Sequence, residues 1–381
     1  MISTEKRYGQ YVLKPATEIF ASYLGDDAGD NQRYVSSCAI SSRWTSLVLV
    51  SKRQYNHDTS IFRFALPAGV SRLNLPVGSH LLIKAPGAEH DGGDAIRPYT
   101  SVSDDALPEN SGQFEILVKR YAQWGVKEGT STHFLFTRTD HTYRKAGAVS
   151  NFIHRLALGT SLEFKHTDIC IGRFPYPLTP HVRSLTLIAV GVGIAPMIGI
   201  LRALLQETNA QVVLLYGVRE VADLLMRETL EAWARNYAPS GRFRVVFCVG
   251  SRFDNVHMGA RTRDEYIPPP PPVGYDSLCL EPSSQGPTTL AVASGGSIIG
   301  GSYGAEKAAA QLIPGVDKAL GWVNEDKIRA YAFAPAASTR VVVCGLPGVY
   351  DKICGSRFET DVPPGCALHS LGYMPDMTIK L

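Results

Sequence analysis

The hydrophobic pattern changes period near Thr179, and that change limits what the chain can become. Before it, short segments alternate apolar and polar residues between glycine- and proline-rich turns: Ser46–Ser51, Ser60–Leu66, Ser79–Lys84 and Gln113–Tyr121. Alternation turns one face of each segment inward, and short strands at this spacing predict a small antiparallel β-barrel. After it, a continuously apolar run at Ser184–Val190 and further strand-like segments at Gln211–Tyr216, Phe243–Val249 and Thr339–Cys344 alternate with helical patterns. The first of those helices carries Met197, Ile200, Leu201, Leu204 and Leu205 at helical spacing, and another ends near Ala234. Strands buried on both faces and separated by helices predict an α/β doubly wound parallel sheet.

A chain of 381 residues holds two such domains with extensions. Residues 1–37 lack periodicity and read as an N-terminal extension, residues 38–180 as the barrel domain, and 181–381 as the α/β domain. Within the latter, 254–320 breaks the pattern with a proline run at Pro268–Pro272 and a low-complexity stretch at Ser294–Ser302. So long a structureless loop does not belong in a compact core, so it reads as an insertion, disordered or polyproline-like. A plain spacer is favoured over a docking segment.

Several function classes recede on composition. A net charge of +3 gives no footing for nucleic-acid binding. Seven cysteines, an odd number with no C-x-x-C pair, argue against a disulfide framework, a zinc site or an iron–sulfur cluster. They point to a reducing, intracellular compartment, with cytoplasm and mitochondrion both open. No run of 18 apolar residues predicts a transmembrane helix, and Met1–Lys14 lacks the apolar core of a secretory signal. No metal is expected, so any electrons that move must be carried by an organic cofactor.

Three motifs carry chemistry. In Arg97-Pro-Tyr-Thr-Ser-Val-Ser103, strand alternation points Arg97, Tyr99 and Ser101 together and Thr100 away. A guanidinium suits a pyrophosphate, and a tyrosine offers a flat face to an aromatic ring; an exposed arginine on an ordinary barrel strand is the competing reading. In Ala189-Val-Gly-Val-Gly-Ile-Ala-Pro-Met197, Gly191 and Gly193 admit a ligand close to the backbone between a buried strand and a helix, and Pro196 suits the first helical turn. In Val343-Cys-Gly-Leu-Pro-Gly348, Cys344 and Gly345 end a later strand and should face the same crevice. A buried structural cysteine is the alternative there.

In this order, the motifs resemble the cytochrome b5 reductase branch of the ferredoxin–NADP reductase superfamily. The resemblance runs from Trp44 to Leu381, outside the insertion and a lengthened loop at 122–146. It is carried also by His57-Asp-Thr, Arg63-Phe-Ala-Leu-Pro67, Leu75-Pro-Val-Gly-Ser-His80, Leu117-Val-Lys-Arg-Tyr121, Gly321-Trp-Val-Asn-Glu-Asp-Lys-Ile328 and Leu371-Gly-Tyr-Met-Pro-Asp-Met377. It implies FAD in the barrel domain, NADH or NADPH as co-substrate, hydride transfer from nicotinamide to flavin, and single electrons passed to an acceptor. Arg97, Pro98, Tyr99 and Thr100 would hold the flavin, Tyr99 beside its ring and Thr100 near its reactive nitrogen. Leu117 and Lys119 would line that site, and Gly147, Val149 and Ser150 would occupy the pyrophosphate loop. Gly191, Gly193, Ala195 and Pro196 would form the nucleotide site. Cys344 and Gly345 would lie beside the nicotinamide, which makes Thr100 and Cys344 the catalytic candidates.

Departures from the family pattern leave two further readings. Val192 and Ala195 both stand where relatives carry threonine, which removes two hydroxyls, and Ala148 stands where they carry lysine. A nucleotide-binding protein that has lost catalysis and serves an interaction role would fit those losses. Ser251 and Arg252 resemble the pair that grips the 2′-phosphate of NADPH in ferredoxin-type reductases. No His-Pro-Gly-Gly haem segment is present, so a cytochrome b5-like acceptor would be a separate protein.

Overall fold

The computed structural model describes residues 38–89, 92–121, 147–170, 174–250 and 313–381. The first half forms strands β1 (Thr45–Gln54), β2 (Thr59–Ala65), β3 (Leu81–Ala85), β4 (Ala95–Tyr99) and β5 (Gln113–Lys119). Helix α1 (Ala148–Arg155) and strand β6 (Ser161–Lys165) complete it. They pair antiparallel in the order β4-β3-β6-β1-β2-β5. Just past β4, Ser101 bridges to Ile116 of β5, and Val102 N donates to Glu115 O at 2.9 Å. That bridge joins the two outer strands, so the sheet curls shut and leaves no long free edge.

The inward face is aromatic. Phe64, Phe114 and Phe164 are fully buried, with Phe164 meeting Phe64 edge-on at 4.8 Å and Phe114 at 5.4 Å. Helix α1 lays Ala148, Val149 and Ile153 over the same core.

The second half alternates as its apolar runs predict. Strand β7 (Ser184–Val190) leads through a 3-10 turn at Gly191–Gly193 into α2 (Ile194–Glu207), then β8 (Gln211–Val218), α3 (Arg227–Tyr237) and β9 (Phe243–Val249). After the undescribed stretch come β10 (Val316–Leu320), α4 (Glu325–Tyr331), β11 (Thr339–Cys344), α5 (Pro347–Ile353), α6 (Ala367–Ser370) and β12 (Thr378–Lys380). The strands pair in parallel in the order β10-β9-β8-β7-β11-β12. Strand order reverses between β7 and β11, and such a switch point opens a crevice at the carboxyl ends of the two strands.

One boundary is corrected. The insertion expected over 254–320 stops short of Val316–Leu320, which pairs with β9 in the register Val316↔Val245. The segment VDKAL carries two charges and sits at the sheet edge, where one side of the strand needs no apolar cover, so hydrophobic pattern alone does not mark it. The rest of the expected insertion, the N-terminal extension and the lengthened loop at 122–146 lie outside the described residues.

Candidate active site: a crevice between barrel and parallel sheet

Both halves of the site are positioned by backbone pairing. In β4, Arg97 pairs with Ile83 and Tyr99 with Leu81, so the two side chains share one face, as alternation requires. Arg97 is already engaged: its Nη2 lies 2.8 Å from Glu89 Oε1 and its Nη1 donates to Ile96 O at 2.8 Å. A guanidinium has five N–H donors, so several remain for a phosphate. Pro98 is exposed, and Tyr99 and Thr100 are half-buried. Neither the Tyr99 nor the Thr100 hydroxyl has a hydrogen-bond partner among the described residues. Burial pushes the Tyr99 phenol well above its ordinary value, and that of its neighbour Tyr121 up to about 12.

Gly147 opens α1 with φ 72° and ψ 8°, a left-handed conformation. A Cβ there would lie 2.9 Å from Tyr121 O and 2.6 Å from Asn151 Nδ2, so the position is closed to other residues. Asn151 fixes the turn by donating to Tyr121 O at 2.7 Å and Gly147 O at 2.9 Å, and Ser150 Oγ donates to Gly147 O at 3.2 Å. No side chain caps α1, so its first N–H groups keep their donors for an anion. Val149 is 1% exposed and belongs to the barrel core, so its backbone rather than its side chain is available to a ligand.

Across the crevice, Gly191 adopts φ 56° with open space where a Cβ would sit, while Gly193 is packed tight. A Cβ on Gly193 would meet Cys344 O at 2.3 Å and Gly345 N at 3.0 Å. The twin-glycine turn and the end of β11 are therefore in direct contact at the switch point. Cys344 is held protonated by burial, which raises its thiol above the ordinary value. Tyr350 of α5 packs in the apolar cluster with Val341 and Val343 of β11, its buried hydroxyl donating to the backbone oxygen of Leu381. Ala195 is buried and Pro196 half-buried in the first turn of α2.

The barrel reaches this turn directly. Leu117 of β5 and Val102 are buried in the same apolar cluster as Ala189, Ile194 and Ala195. Leu117 thus lies at the contact between barrel and sheet. Lys119 closes the seam: its Nζ is 2.7 Å from Asp58 Oδ2 in the barrel and 3.6 Å from Asp223 Oδ1 beyond β8. His57 Nε2 stands 3.4 Å from both carboxylates and Arg219 Nη2 3.8 Å from Asp58 Oδ2. His57, Asp58 and Asp223 have the donor types of a metal site, but lysine and arginine already balance these carboxylates.

Ser251 and Arg252 lie outside the described residues. Sequence reasoning also passed over Asn151, Tyr121, Asp223 and Arg202. The visible signal for the last is a lone arginine in the apolar run of α2.

Comparison with known proteins matches this division. Residues 46–176 match the family "Oxidoreductase FAD-binding domain" and residues 187–264 "Oxidoreductase NAD-binding domain". Barrel, crevice and parallel sheet together define a two-domain oxidoreductase that binds FAD and a nicotinamide nucleotide. The chain is 30% identical over 253 residues to NADH-cytochrome b5 reductase 1 of Bos taurus, covering 61% of this chain and 75% of that protein. It is 29% identical over 253 residues to NADH-cytochrome b5 reductase 3 of Rattus norvegicus, covering 61% of this chain and 76% of the other. The cytochrome b5 reductase domain of Ulva prolifera nitrate reductase shares the fold, with a TM-score of 0.56 at 20% identity over 91% of this chain and 100% of that one. The chain belongs to the NADH-cytochrome b5 reductase family.

The donor set suits the flavin. Arg97 with spare donors, two unpartnered hydroxyls at Tyr99 and Thr100, and an uncapped helix behind an obligate glycine offer charge, ring contact and anion binding on one side of the crevice.

Proposed function

We propose that the chain takes hydride from NADH and passes electrons one at a time to a separate haem protein of the cytochrome b5 type. FAD, when bound, supplies the conversion from a two-electron donor to a one-electron acceptor. The residues supply binding, orientation and exclusion of water. Arg97 and the N-terminus of α1 at Gly147–Ser150 hold its phosphates. Tyr99 would offer its face to the ring, and Thr100 its hydroxyl as a hydrogen-bond donor. Leu117 and Lys119 close the barrel side of the site. Gly191, Gly193, Ala195 and Pro196 seat the nucleotide, and Cys344 with Gly345 walls the nicotinamide.

A single observation carries this reading: Gly193 is pressed against the Cys344–Gly345 backbone on a turn that shares its apolar packing with Leu117 of the barrel. NADH is favoured over NADPH by the relatives named above. Their names also support the choice of acceptor.

The test is steady-state turnover with cytochrome b5 and with ferricyanide, each driven by NADH or NADPH. Reduction of both acceptors with a preference for NADH is expected. Ferricyanide reduction without cytochrome b5 reduction would remove the acceptor, and an NADPH preference abolished by Arg252→Ala would reverse the nucleotide choice.

A further inference from the structure

Arg202 ties the two sides of the crevice together from inside α2. That helix begins directly after the Gly191–Gly193 turn, and Arg202 follows a little over two turns later. Its Nη1 donates to Ser103 O at 3.0 Å and its Nη2 to Val102 O at 3.2 Å. Its Nε lies 3.2 Å from Asp104 Oδ2. These acceptors come immediately after Tyr99–Thr100–Ser101. One side chain therefore grips two consecutive carbonyls and a carboxylate of the segment that ends the flavin motif.

The placement is costly unless it serves a purpose. Ile198, Leu201 and Leu205 around it on the helix are fully buried or nearly so, and the Arg202 side chain is only 19% exposed. A charge so placed needs its partners. A planar fork meets all three acceptors at once, and a lysine does not. Asp105, next in the chain, accepts from Asn74 N at 2.7 Å, so the gripped segment is held from its other side too.

We propose that Arg202 is a positioning residue for hydride transfer. Through one rigid helix it sets the end of the Tyr99–Thr100 strand at a fixed distance from the Gly191–Gly193 turn. This rests on the reading that these segments seat the flavin and the nicotinamide. Arg202 does not hold the domains together alone. Asn56 Nδ2 donates to Ala222 O at 2.9 Å, and the Lys119 cluster joins them at a second point. Its removal should loosen register without parting the halves.

The test uses the full-length, flavin-loaded protein in anaerobic stopped-flow mixing, comparing wild type with Arg202→Met and Arg202→Lys. The limiting rate of flavin reduction at saturating NADH should fall by about 100-fold in Arg202→Met, the loss expected of a misplacement near 1 Å. The Kd for NADH, the flavin content and the rate of reduction by dithionite should stay close to wild type. Arg202→Lys, which keeps the charge but loses the fork, should fall in between. Wild-type limiting rates in either folded variant overturn the proposal, as does a loss confined to Kd. If Arg202→Met loses its flavin, Arg202→Lys alone decides. A wild-type protein whose flavin neither nucleotide reduces overturns the function beneath the proposal, a result distinct from unchanged variants.

Discussion

Gly193→Ala is the sharpest perturbation the structure offers. The backbone at Gly193, φ −59° and ψ −9°, is one that alanine adopts freely, so any effect is steric. The added Cβ would stand 2.3 Å from Cys344 O and 2.7 Å from Cys344 C, both backbone atoms of a central strand. Comfortable separation is about 3.5 Å, so the turn and the strand end must part by roughly 1 Å. Overpacking of this kind costs about 1–3 kcal/mol. The same shift, at the proposed meeting point of nicotinamide and flavin, should cost about 100-fold in the rate of reduction. The assays are thermal unfolding, flavin content and anaerobic reduction by NADH, with Gly191→Ala for comparison. A Cβ on Gly191 meets nothing within 4 Å, though its φ of 56° is left-handed. Alanine there should cost only about 1 kcal/mol of stability. If Gly193→Ala is as stable and as readily reduced as wild type, the turn is not packed on β11 as described, and the shared crevice falls with it.

Two more outcomes follow from buried charge. Lys119→Ala leaves the buried carboxylates of Asp58 and Asp223 with only the half-exposed Arg219 and His57 beside them and should lower stability by about 2 kcal/mol in chemical denaturation; a change within error would mean that Lys119 contributes nothing. Burial pushes His154 down to about 4 and His80 down to about 3, the latter aided by Arg357. Both imidazoles are therefore neutral in the folded chain while the unfolded chain takes up protons below about pH 6.5, so stability is lost as pH falls from 6.5 towards 4. His154→Gln should flatten that part of the stability–pH curve, and an unchanged slope would contradict the assignment.

Much of the fold is legible from period alone. Strands β7, β9 and β11 occupy the segments that their mostly apolar runs mark, because a strand covered on both faces has few polar positions, here Thr186, Arg244 and Arg340, to blur its ends. Strands β6 and β10 are short and carry charge, so their place depends on partners distant in sequence. Site legibility follows the same divide. Gly193, pressed against backbone, and Gly191, with its left-handed φ, announce themselves in a strand–turn–helix setting. Asn151, which closes the Gly147 turn, and Asp223, which meets Lys119, act through contacts that no local spacing encodes. The sequence marks Arg97 as a candidate anion ligand but gives no sign of its pairing with Glu89.

The most direct measurement is an absorption spectrum of the purified protein, recorded anaerobically before and after one equivalent of NADH and then of NADPH. An oxidised flavin spectrum that bleaches on adding nicotinamide nucleotide is the predicted result. A protein that takes up no FAD, or that binds it and stays oxidised with both nucleotides, would contradict a working junction between barrel and sheet.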